Sequence, residues 1–176
     1  MILAPAPAGA PGPFVPGAPA APARVLLLGV GNLLMGDEGV GIHVVRALEA
    51  EPSAPGVRVL DGGTGGISLL LEFDGVRDIV MVDATADGRP AGTVTLLRPR
   101  RVADLPRGLG AHDFGVKDLF AASALLGALP GIHLYTISVE EVRPMCTELS
   151  PPVAAAVPAV AGAMRTLATA LAARED

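Results

Sequence analysis

Two acids sit inside a glycine-rich stretch, "GVGNLLMGDEGVG" at Gly29 to Gly41, directly after an apolar run. Loops of this kind ordinarily lay a phosphate against the first turn of a helix, where backbone N–H groups and the helix dipole favour an anion. Asp37 and Glu38 would repel a phosphate in a partly desolvated crevice. Gly29 and Gly31 also supply only two glycines of the G-x-G-x-x-G pattern, because its third glycine position is Leu34. Cation binding fits better: paired carboxylates outweigh the dipole, and Asp83 adds another acid where the fold brings it across the crevice. His112, in "GLGAHDFGVKDLF", would supply a nitrogen. Glu38, Asp83 and His112 together make a carboxylate and imidazole set suited to a borderline divalent ion such as zinc or nickel.

Positioning these groups requires a particular frame. "RVLLLGV" reads as a central strand buried on both faces, and "EGVGIHVVRALEAE" as a helix with Val40, Val44, Ala47 and Leu48 on one side and Asp37 as its N-cap. "VRVLDGG" is a second strand, "GISLLLEF" a short helix and "RDIVMVDAT" a third strand. The order is βαβαβ, a parallel sheet with right-handed crossovers. "GTVTLLR" follows "VDA" too soon for a parallel crossover, which takes about a dozen residues, so it is expected antiparallel to the third strand or at an edge. A helix near "VKDLFAASALLGA", a fifth strand "IHLYTISVE" and an alanine-rich C-terminal helix complete the pattern. The expected fold is a three-layer αβα sandwich on a mostly parallel, twisted five-stranded sheet with one antiparallel strand. Ligands of such sheets bind beyond the carboxyl ends of the strands. There the first loop brings Asp37 and Glu38, the "DGGT" loop brings Asp61, and "VDA" brings Asp83.

Composition bounds the rest. The 176 residues are expected to form one α/β domain at 24–176 behind an uncharged Ala/Pro-rich segment, residues 1–23, read as a disordered tail. Its prolines interrupt any signal-peptide core. Hydrophobic residues reach 51%, but much of this is alanine, and the most apolar stretch, "PVAAAVPAVAGAMRTLATALA", contains Pro158 and Arg165. It reads as a packed helix and not as a membrane span. A formal charge of -5 with scattered basic residues argues against nucleic acid as a partner. Single Cys146 excludes an internal disulfide and a cysteine-rich metal site, and the cytoplasm is the expected compartment. Cys146 has no paired histidine nearby, and no G-x-S-x-G elbow occurs. His43 and His133 read as structural.

Five segments, "GVGNLLMGDEGVG", "LDGGTGGISLL", "IVMVDA", "HDFGVKDLF" and "VEEVRPMCTELSP", occur in order with spacing that resembles the endopeptidases that mature nickel-iron hydrogenases. The resemblance runs from about Val25 to Pro151. It implies a hydrolase that removes a C-terminal extension from the hydrogenase large-subunit precursor once nickel has been inserted. By position, the family's metal-contacting residues fall on Glu38, Asp83 and His112. The nickel would arrive with the substrate and tag the loaded precursor. Two mechanisms remain open: Glu38 or Asp83 as general base on a water, in the manner of an aspartic-type endopeptidase, or nickel used for docking while the amides of Gly62, Gly63 and Thr64 stabilise an oxyanion. Two further readings compete with these, a non-catalytic adaptor for a metallated subunit and a dinucleotide-binding module.

Overall fold

The computed structural model describes residues 23–106, 108–109, 116–125 and 130–174. The segment expected as a tail, apart from Ala23, and His112 lie outside the described residues. Within them, strands β1 (Val25–Val30), β2 (Val57–Gly63), β3 (Asp78–Thr85), β4 (Val94–Leu97) and β5 (Gly131–Ser138) form a sheet of order β2-β1-β3-β5-β4. Every residue of β1 and β3 is buried. This is why β1 and the Ile79–Val82 stretch of β3 read as apolar runs: a parallel strand covered on both faces has no solvent side to mark with polar residues.

β1, β2, β3 and β5 pair in parallel, and β4 runs antiparallel to β5 at the edge. The sequence allows β4 either beside the third strand or at an edge; its partner is β5. A link too short to cross a face is still long enough to step past one strand position. β5 then fills that position, pairing along its whole length with β3.

Helices α1 (Val40–Glu49) and α3 (Pro151–Ala172) cover one face, where Val44 and Met164 join Leu27, Val80, Val82 and Ile137 in one core. On the other face α2 (Val116–Leu125) and a 3-10 helix, Gly66–Phe73, bring Leu119, Phe120 and Leu69 against Leu28, Ile79, Met81 and Leu134. In α3 the buried residues Val153, Val160, Met164, Ala168 and Leu171 recur every third, fourth or seventh position, a stripe facing the sheet, while Pro158 lies on the exposed side. The apolar character of this helix is thus matched to a packed face.

The far end of α3 is clasped at the amino ends of the strands. Arg77 donates to the carbonyls of Leu171 and Arg174, and Asp78 holds the guanidinium at 3.0 Å while also meeting His133 Nε2 at 3.4 Å. Cations suit the carbonyl-rich end of a helix. At the opposite end of the sheet, α1 sits directly on the strands because residue 41 is glycine. A Cβ there would stand 2.1 Å from Val30 O and 2.8 Å from Val82 O.

Candidate active site

Between β1 and α1 the chain makes a 3-10 turn, Gly36–Gly39, whose four residues are all buried. Glu38 lies in this turn, 6% exposed. Its carbonyl accepts the N–H of Asn32 at 3.3 Å, and Gly31, at φ +143, passes so close that a Cβ would be 2.0 Å from the same oxygen. Only glycine permits that approach, and the approach presses Glu38 against the end of β1.

Asp83, 4% exposed, projects from the carboxyl half of β3. Its Oδ1 accepts the N–H of Ala84 at 2.8 Å. Burial pushes the Asp83 carboxyl from its ordinary 3.8 up to about 8; the Ala84 N–H pulls against this, and the charge of Glu38 adds to it. Both acids line a cavity of about 110 Å³ together with Asn32, Thr64, Leu69, Val139 and Val142. The lining apart from the acids is largely apolar or glycine. The volume is well below the ~300–1,000 Å³ of sites that enclose a drug-sized ligand. Among the described residues this cavity is too small to enclose a dinucleotide, whereas a cation or the atoms around one peptide bond would fit.

Of the four acids expected at the strand ends, Glu38 and Asp83 face the cavity and two do not. Asp61 is exposed and turned back on its own loop, where its Oδ1 accepts the N–H of Gly63 at 2.9 Å. Gly63, whose amide this carboxylate holds, lines the cavity. Gly62 is buried beneath β1, where a Cβ would meet Leu28 Cδ1 at 2.7 Å, and it is not part of the cavity wall. Thr64 remains on the wall. Among the described residues no further His, Cys, Asp or Glu joins Glu38 and Asp83 in a metal-sized group.

Asp37 has the sequence position of a cap for the first helix, but no side-chain cap is made there. Its carboxylate instead reaches across to the segment that precedes α3: Oδ1 accepts the N–H of Ser150 at 2.6 Å and stands 3.9 Å from Arg143 Nη2. The turn forms before α1 begins, so Asp37 points away from that helix's first N–H groups. Further bonds fasten the same strap. Gly36 N–H donates to Cys146 O at 2.7 Å, Cys146 N–H to Leu34 O at 3.2 Å and Arg143 to Glu148 O at 2.7 Å, while His43 Nε2 lies 3.3 Å from Thr147 O. Asp37→Ala leaves the partly buried Ser150 amide without its charged acceptor, an expected loss of about 1–3 kcal/mol. A thermal melt, together with faster hydrogen exchange at the Gly36 and Ser150 amides, checks this; unchanged exchange at Ser150 would contradict it.

Sequence reasoning does not single out Asn32, Val139 or Val142, which complete the wall, nor Ser150. Asn32 lies inside the quoted loop and is legible as a neighbour of Glu38. The other three depend on β5 lying next to β3, which no local pattern announces.

The hydrogenase maturation protease family profile matches residues 42–166. Similar curated proteins include the hydrogenase expression/formation protein HoxM of Azotobacter vinelandii, 36% identical over 153 residues, 82% of this chain and 72% of that protein. The hydrogenase 2 maturation protease of Escherichia coli is 36% identical over 110 residues, 61% of this chain and 67% of that protein. Among solved structures, the hydrogenase maturating endopeptidase HybD from E. coli superposes with a TM-score of 0.73 at 30% identity, covering 82% of this chain and 91% of that one.

Proposed function

The chain belongs to the hydrogenase maturation protease family, and from that premise we propose that it cuts a C-terminal extension from a hydrogenase large-subunit precursor that carries nickel, with Glu38, Asp83 and His112 recognising the metal. The observation that carries this reading is the pair of buried acids at a narrow cavity on the carboxyl edge of the sheet. His112 lies outside the described residues, and its part rests on the family motif.

Selection of loaded precursor follows from the state of Asp83. Near neutral pH its carboxyl holds a proton, because an ionised group there is buried beside another acid. A cation arriving between the two acids reverses the preference and releases that proton. Precursor without metal meets a neutral carboxyl and gains no such attraction, so the two forms differ in affinity by the cation's interaction with the pair. Once ionised, Asp83 can take a proton from a water attacking the scissile carbonyl. Thr64, on the cavity wall, is the residue we assign to face the developing oxyanion.

The substrate must cross the carboxyl ends of β2, β1, β3 and β5, three strand spacings or about 14 Å, the reach of roughly four extended residues. A C-terminal extension is flexible enough to be drawn out in that form.

Incubating the precursor with this protein, with and without prior nickel loading, and weighing the products tests the reading. A nickel-dependent loss of a C-terminal peptide is expected. An unchanged mass with tight binding would replace the protease by an adaptor.

A further inference from the structure

Met145 holds a backbone conformation that its side chain disfavours. Its φ is +58, and it is the one residue other than glycine with a positive φ among those described. The side chain is 86% exposed. A flexible loop would relax out of this state, but the flanking bonds prevent it: Cys146 is bridged to Met35, Gly36 donates to Cys146 O, and Asp37 holds Ser150. Strain that the surrounding structure maintains around an exposed apolar group is characteristic of binding positions.

Two more exposed apolar side chains belong to the same lip. Leu34, 53% exposed, accepts the Cys146 N–H next to Met145, and Val142, 37% exposed, forms part of the cavity wall three residues before it. Val142 thus joins the lip to the cavity that holds Glu38 and Asp83. The lip is formed where the segment after β5 returns to the loop after β1, at the Met35 to Cys146 bridge, and the Thr64 loop follows β2. A polypeptide seated in the cavity meets Val142 on its wall, with Leu34 and Met145 on the adjoining loop pair.

We propose that Leu34, Val142 and Met145 form an apolar subsite that grips a hydrophobic side chain of the precursor adjacent to the bond being cut, with Met145 as its specificity-determining residue. This deepens the proposed function and rests on it. Methionine suits the task, because its unbranched thioether adapts to different apolar partners. The rigid strap presents it already positioned, so little freedom is lost on binding.

The test uses the full chain and nickel-loaded precursor, comparing wild type, Met145→Gly and Met145→Leu. Glycine relieves the left-handed strain, which offsets its greater freedom in the unfolded chain, so the melting temperature should not fall. KM for the precursor should rise roughly tenfold with kcat changed less than about twofold, as expected for removal of one well-buried apolar contact. Met145→Leu keeps both constants within about twofold of wild type. Replacing the precursor's apolar residue beside the cut with Asp should impair wild type and leave Met145→Gly little changed. Wild-type KM in Met145→Gly overturns the subsite. So does a change in self-association by light scattering without a change in KM, which would assign the lip to contact between copies of this chain. Failure of wild type itself to shorten the precursor overturns the protease reading, which this comparison separates from the subsite.

Discussion

Asp83→Asn melts higher than wild type at pH 8 and cuts precursor far more slowly. In the folded chain the Asp83 carboxyl titrates at about 8, against 3.8 when unperturbed. The folded state therefore binds the extra proton between those values, and the unfolded state does not. Stability falls as pH rises through that window, because ionisation is progressively easier in the unfolded chain. Asparagine is neutral throughout, and its carbonyl can still accept the Ala84 N–H that Asp83 accepts at 2.8 Å. The difference in melting temperature should be greatest near pH 8 and close toward pH 4. Processing should drop by at least about a hundredfold, the usual loss when a proton-transferring group is removed. Melting curves at several pH values and a cleavage assay at one settle both halves. A variant that is less stable than wild type at pH 8 would mean that ionised Asp83 supports the fold through a partner.

The second large effect concerns a residue without a side chain. Gly41→Ala would place a methyl group 2.1 Å from Val30 O and 2.8 Å from Val82 O, both backbone atoms of central strands. Neither can rotate aside, so α1 must lift from the sheet, carrying the Glu38 turn with it. Overpacking of this kind costs about 1–3 kcal/mol and more where only backbone can move. Gly162 in α3 is the control, since a methyl group added there would meet nothing within 4 Å. Gly162→Ala should therefore gain about 0.5–1 kcal/mol in a helix interior. Denaturant melts of the two variants should move in opposite directions. Equal shifts would mean that the seat of α1 on β1 and β3 is softer than its contacts indicate.

The layers, the central strands and the two cavity acids are legible in the sequence for one reason: each leaves a local mark. A strand buried on both faces is an apolar run, and a carboxylate at the end of such a run, as at Asp83, has no structural need to be there. What is not legible depends on partners far along the chain. Asp37 looks like a helix cap because caps are local, but its acceptor role serves Ser150, 113 residues away. The partner of β4 is fixed only after β5 arrives between it and β3. The left-handed backbone of Met145 is hidden because methionine carries no preference for that region, unlike glycine or asparagine.

The strap from Asp37 to Ser150 also orders events in time. A ribosome releases residues in sequence, and the Glu38 turn emerges long before Cys146 and Ser150, while the Leu171 carbonyl that Arg77 clasps emerges later still. Until those residues arrive, the turn lacks the bonds to Cys146 and Ser150 that hold it. The nascent chain thus carries its acids in an unfastened loop until Cys146 and Ser150 have emerged and can reach it.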